Sequence, residues 1–314
     1  MIDVSILGGD TPDGGELLRL LAIHPEVELA DVQATGLEGI PVASHHHGLI
    51  GETSMSFTAT VDYSRCDVLF VCNDSLGADG LAALREARPE LRIIMLRTPP
   101  GLDLDTAGVV YGLPEINRKQ LVRGATAAVV PRSLASMALV ALYPFAMNLL
   151  LSGNVTISVT APKAVMDSCD IKATAAEVSG RLARAQKSFD GDVDIRCRAG
   201  EARRSALMDI TLACPLSLQQ SLDLYDIYDD HRFAFVTTAP VGVSEVAGTN
   251  KCIVSVSKGD PASVSLGVAA DCRLRGAAGE AVHIMNLMFG LHEKTGLALK
   301  AIDFEPVGPA GARL

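Results

Sequence analysis

Apolar residues at positions 4–7 form a short run that ends in a glycine-rich turn, Gly8-Gly9-Asp10-Thr11-Pro12-Asp13-Gly14-Gly15. Leu17, Leu18, Leu20 and Leu21 then recur at helical spacing, so the opening predicts a strand, a tight turn and a helix over 16–23. Residues 27–32, 67–72 and 91–96 read as further strands, and the Ala/Leu-rich stretch 76–88 as a helix. Strands alternating with helices imply right-handed βαβ units around a parallel sheet. The first 130 residues therefore read as a Rossmann-type, doubly wound nucleotide-binding domain.

The pattern changes after Pro131. A long apolar helix over 134–151 leads into 155–160, which alternates as a half-buried strand does. Stretches 192–198, 205–213, 232–238, 252–257 and 263–269 look similar, with helices expected at 173–187 and 217–228. This predicts a second, α+β domain with a mostly antiparallel or mixed sheet, covered on one face and free to meet a subunit on the other. A last helix is expected from Glu280 to about Phe289. Its apolar positions wrap most of the circumference, so it should be buried.

The 314 residues suggest two domains at roughly 150 residues each. The expected division is 1–131, rejoined by a C-terminal segment of about 280–314, and 132–279. A net charge of −10 without any Lys/Arg cluster argues against nucleic acid as a partner. The N-terminus lacks a basic region and a long apolar stretch, so it is not read as a signal peptide. Residues 135–151 are mostly apolar but fall short of the about 20 residues a membrane span needs. Seven scattered cysteines without a Cys-x-x-Cys pair fit reduced thiols in a cytoplasm.

Candidate chemistry is sparse. Glycines between a strand and a helix let backbone approach a pyrophosphate at the helix N-terminus, which nominates Gly8, Thr11 and Gly14 as cofactor-binding. Asp10 and Asp13 in the same loop would repel that charge. His45-His46-His47 has no carboxylate or cysteine partner at ligand spacing, so a solvated loop is the expectation, and no metal. No nucleophile elbow, Walker loop or zincin motif is present.

Two segments are long and unusual enough to be specific: Tyr111-Gly112-Leu113-Pro114-Glu115-Ile116-Asn117-Arg118, and the stretch from Arg275-Gly276-Ala277-Ala278-Gly279-Glu280 through Met288-Phe289-Gly290-Leu291. They resemble the N-acetyl-gamma-glutamyl-phosphate reductase family, relatives of the aspartate-semialdehyde dehydrogenases. Gly8, Gly14-Gly15-Glu16-Leu17 and Thr249-Asn250-Lys251-Cys252 fall at fitting positions, so the resemblance runs over essentially the whole chain. It implies a Rossmann domain, an α+β domain that makes an oligomer interface, NADP as cofactor, and cofactor contact at Gly279 besides the first loop.

The family reduces an acyl phosphate to a semialdehyde. A cysteine attacks, phosphate leaves, hydride reduces the thioester, and a histidine serves as acid and base. The cysteine belongs to an Asn-Pro-Gly-Cys-Tyr-Pro-Thr stretch that here resembles Val130-Pro131-Arg132-Ser133-Leu134-Ala135-Ser136. The nucleophile position is thus Ser133. The histidine position corresponds to Thr174, within Lys172-Ala173-Thr174-Ala175-Ala176-Glu177. The Gln that opens the last helix is Glu280, and Arg204 matches the family's phosphate-contacting arginine.

A hydroxyl, unlike a thiol, needs a strong neighbouring base before it attacks. The expectation is therefore a catalytically degenerate member, a homo-oligomer or a partner of an active paralogue. The alternative is an active NADP-dependent oxidoreductase of altered chemistry, using Ser133 or Cys169. A third reading has Arg132, Arg203 and Arg204 hold an anionic small molecule.

Overall fold

A computed structural model describes residues 1–302. It divides into two units: Met1–Pro131 together with Gly276–Ala298, and the body that begins at Arg132 and runs to Arg275. The return to the first unit thus begins at Gly276 rather than at 280. Residues 299–302 group with the second unit, where the Ile302 amide donates to the Ala247 carbonyl at 3.0 Å. The expected return over 303–314 lies outside the described residues.

The first unit holds β1 (Ile2–Leu7), α1 (Pro12–Leu21), β2 (Val27–Gln33), α2 (Val42–His45), β3 (Val68–Val71), α3 (Ala78–Ala87), β4 (Arg92–Met95), β5 (Val110–Tyr111), α4 (Pro114–Val122) and β6 (Ala127–Val129). Its six strands are all parallel, in the order β2-β1-β3-β4-β6-β5. Every residue of β3 is buried, as a central strand covered on both faces requires. Helix α1 starts at Thr11, whose hydroxyl accepts from the Gly14 amide at 3.0 Å, with Pro12 in the first turn. Connections leave β1 in opposite directions, toward β2 and β3, so the loops after β1 and β3 flank the switch point where doubly wound sheets bind ligands.

The second unit holds α5 (Ser133–Met147), β7 (Val155–Pro162), α6 (Lys163–Ser168), α7 (Ile171–Ala185), β8 (Val193–Gly200), β9 (Ser205–Ala213), α8 (Leu218–Asp223), β10 (Ala234–Thr237), β11 (Cys252–Ser257) and β12 (Ser263–Asp271). Its sheet, β10-β11-β12-β9-β7-β8, is mixed: β10 with β11 and β7 with β8 are parallel, the other pairings antiparallel. The alternating strands behave as expected. In β7, Val155, Ile157 and Val159 are buried while Thr156 and Ser158 are exposed.

The apolar helix α5 is shorter than its hydropathy suggested. It stops at Met147 because the Asn148 side chain donates to the Pro144 carbonyl and Leu149 turns left-handed at φ 59°. At 15 residues it spans roughly 22 Å against the about 30 Å of a bilayer core. Among the described residues no helix is long and apolar enough to cross a membrane. The last helix, α9 (Ala278–Met288), belongs to the first unit and is buried along its whole length.

Candidate functional site

In the first unit the site is the loop between β1 and α1. Gly8 has φ 75°, and a Cβ there would meet the Asn73 side chain, from the loop after β3, at 2.8 Å. A Cβ on Gly14 would lie 2.6 Å from the Gly8 carbonyl oxygen, and one on Gly9 would lie 2.3 Å from Val32. Both close approaches therefore need glycine. The outcome is a tight cradle capped by Thr11, the arrangement that presents a helix N-terminus to a pyrophosphate.

Two of the three histidines, His45 and His46, take part in this cradle, contrary to the expectation of a solvated loop, while His47 is exposed. The His46 ring donates through Nε2 to the Gly9 carbonyl at 2.7 Å, and a Cβ on Gly15 would strike that ring at 2.6 Å. His45, though exposed, donates through Nε2 to the Asp10 carbonyl at 3.0 Å. Phe57 meets both rings edge-on. The adjacent side chains do point differently, yet both reach neighbouring carbonyls of one loop. The repulsion expected from Asp13 is softened, because an Arg97 guanidinium nitrogen lies 3.8 Å from its carboxylate. Gln33 joins the ends of the two first strands, accepting from the Gly8 amide at 3.4 Å and donating to the Thr35 hydroxyl at 3.1 Å.

Gly279 lies in the first turn of α9, fully buried. Next to it Glu280 accepts from the Gly276 amide at 3.3 Å. His283 then sits between two carboxylates, 4.0 Å from Glu280 and 2.8 Å from Glu293, and Arg118 pairs with Glu293 at 2.7 Å. Arg118, Glu280 and His283 lie in the two segments that carried the resemblance, but their joining with Glu293 in one buried network is supplied by folding.

In the second unit, Ser133 opens α5 and donates its hydroxyl to the Cys272 carbonyl at 2.9 Å. Burial, with Asp271 beside it, pushes the Cys272 thiol far above its ordinary range, so it is no ready thiolate. Thr174 lies buried in the first turn of α7 and donates to the Asp170 carbonyl at 2.7 Å. That is the back-bonding a helical threonine commonly makes. The half-buried Cys169 places its sulfur 3.4 Å from the Thr174 hydroxyl.

The arginines expected to hold an anion are largely engaged with carboxylates. Arg204 donates through Nε to the buried Asp271 at 2.8 Å, and Asp271 also accepts from the Gly248 and Arg273 amides. Arg132 pairs with Glu177 at 2.6 Å. Arg203 is exposed. The structure thus groups Ser133, Cys272 and Arg204 around the end of β12, while Gly8, Thr11 and Gly14 form the loop of the other unit.

The parallel sheet, its glycine cradle and the mixed second sheet define the class: a two-unit α/β protein of the semialdehyde-dehydrogenase type. The family model described as "Semialdehyde dehydrogenase, NAD binding domain" matches residues 3–123. An N-acetyl-gamma-glutamyl-phosphate reductase from Flavobacterium johnsoniae is 32% identical over 333 residues, covering 97% of this chain and 100% of the relative. Another, from Phocaeicola vulgatus, is 29% identical over 328 residues with the same coverage. The chain belongs to the N-acetyl-gamma-glutamyl-phosphate reductase family. Among solved structures, aspartate semialdehyde dehydrogenase II from Vibrio cholerae, complexed with ASA, aligns at a TM-score of 0.66 and 16% identity, covering 92% of this chain and 98% of that one. The aspartate semialdehyde dehydrogenase with NADP from Candida albicans aligns at 0.66 and 15%, with the same coverage. At such identities these two speak for the fold alone.

Proposed function

We propose that this chain keeps the family's scaffold and dinucleotide loop but has left its acyl-phosphate chemistry, acting as a non-catalytic member that pairs with itself or with an active paralogue. The observation that carries this reading is the Ser133 hydroxyl, whose proton is held by the Cys272 carbonyl at 2.9 Å. A carbonyl cannot take that proton, so this bond does not activate the oxygen. Of the seven histidines only His231 lies in the second unit. It packs edge-on against Tyr228, whose hydroxyl donates to Val140, about two turns along α5 from Ser133.

The cradle around Gly8 and Gly14 would hold the pyrophosphate of a nicotinamide dinucleotide, the group that supplies hydride in this family. The sheet face carrying Thr156, Ser158, Arg196 and Asp209 is exposed and would meet the partner. All seven cysteines are free, which supports a reducing, cytoplasmic setting.

The test is turnover of the semialdehyde with phosphate and either NAD or NADP. The expected result is a rate at background, unchanged by Ser133→Ala. Robust turnover that this substitution abolishes would overturn the reading. One observation favours the alternative of an active oxidoreductase: the Cys169 thiol lies 3.4 Å from the hydroxyl of Thr174, the residue that the resemblance places at the family's histidine position. Turnover lost in Cys169→Ala but kept in Ser133→Ala would establish that alternative.

A further inference from the structure

We infer that the nucleotide site of the first unit is built for a dinucleotide with a free 2′-hydroxyl, NAD or NADH, and rejects the 2′-phosphate of NADP, with Glu38 as the specificity-determining residue. This rests on the reading of the glycine cradle as a dinucleotide loop, and it departs from the cofactor that the resemblance implied.

In a doubly wound sheet the adenosine ribose lies at the carboxyl end of the second strand. An acidic side chain there accepts from the ribose hydroxyls, whereas an arginine accommodates a 2′-phosphate. Here β2 ends at Gln33, and the chain continues through Ala34, Thr35, Gly36, Leu37 and Glu38. Gln33 fixes this corner against the glycine loop, since its side chain accepts from Gly8 and donates to Thr35. With its oxygen already accepting, the Thr35 hydroxyl keeps its own proton for a ribose oxygen. Glu38 is exposed and its carboxylate folds back over the turn to accept from the Gly36 amide at 3.0 Å. That bond holds its pKa below the ordinary carboxylate value, so the group stays ionised.

The wider stretch points the same way. Between Arg19 and Arg65 the chain has no lysine or arginine, and it carries six carboxylates: Glu26, Glu28, Asp31, Glu38, Glu52 and Asp62. Of the nearby arginines, Arg19 pairs with Glu16 in α1, Arg97 faces Asp13, and Arg65 lies by Asp62, whose carboxylate it helps hold ionised. A dianionic 2′-phosphate at this corner would face an ionised carboxylate without a guanidinium to receive it. A ribose with two hydroxyls meets acceptors and a donor that suit it.

The experiment titrates the full chain with NADH and NADPH, read by cofactor fluorescence, and competes each with 5′-AMP and 2′,5′-ADP to isolate the ribose end. NADH should bind at least about tenfold more tightly than NADPH, and 5′-AMP should outcompete 2′,5′-ADP. Glu38→Arg should narrow or reverse that ratio. Glu38→Gln keeps the acceptor for Gly36, removes the charge, and should narrow it in part. NADPH binding as tightly as NADH would overturn the inference, as would a ratio unmoved by both substitutions. Binding of neither dinucleotide at millimolar concentration would instead overturn the dinucleotide reading of the loop, and the inference with it.

Discussion

The Ser133 hydroxyl and the Cys272 carbonyl are 2.9 Å apart, joining the first residue of α5 to the end of β12 across 139 positions of sequence. The group that the resemblance places at the family's nucleophile position is thereby a hydrogen-bond donor within the fold. Ser133→Ala should cost about 1 kcal/mol of stability, the usual net value of one such bond, while leaving phosphate-dependent turnover at background. Chemical denaturation and the turnover assay check the two halves separately. A large fall in turnover without a change in stability would mark Ser133 as a nucleophile.

Asp271 is the other fixed point of that corner. It is fully buried and receives Arg204, the Gly248 amide and the Arg273 amide. Asp271→Ala takes the acceptor from these donors and breaks the ion pair with Arg204, so the loss should be about 3 kcal/mol. Asp271→Asn retains an acceptor oxygen and should lose less. Urea midpoints compared at constant m-value give both numbers.

The alternation of β7 and β9, the leucine spacing of α1 and the wrapped apolar surface of α9 were legible in the sequence, because each follows from a local period and burial. The short strands β5 and β6 and the helix α4 were not. Two or three residues carry no period, and the Tyr111–Arg118 stretch stood out as a motif rather than as an element. At the site, Gly8, Thr11 and Gly14 were legible as a loop between a strand and a helix. The roles of His45, His46, Gln33 and Asp271 were not, since each depends on a partner two to six dozen residues away. The engaged arginines illustrate the same limit. Arg132 and Arg204 read as free cations in sequence, and folding supplies Glu177 and Asp271.

His46 gives a direct test of the cradle. Its ring fixes the Gly9 carbonyl and covers Gly15, so His46→Ala should loosen the loop more than the fold. We expect NADH affinity to fall by roughly tenfold, the worth of one good hydrogen bond in positioning, with a thermal midpoint within a few degrees of the parent. His47, exposed and one position on, serves as the control, and His47→Ala should leave the affinity unchanged. Equal effects from the two substitutions would show that the histidines act only through charge.

His24 supplies a prediction in pH. Its buried ring donates through Nε2 to Asn286 at 3.0 Å and accepts at Nδ1 from the Glu26 amide at 3.3 Å, so both nitrogens are engaged only in the neutral form. Burial lowers its pKa from 6.5, outweighing the bond to Asn286 and the charge of Glu26, which act in the opposite sense. The unfolded chain therefore binds this proton more readily than the folded one. The stabilisation is complete above pH 6.5 and is lost as the pH falls toward the lower folded value. Gly296 closes against the ring, and a Cβ there would lie 2.2 Å from Cδ2, so this approach needs glycine. Thermal midpoints taken from pH 7 to pH 5 should fall more steeply for the parent than for His24→Gln, which keeps a donor and an acceptor without a titrating proton. Parallel slopes would place the acid sensitivity of the first unit on other groups.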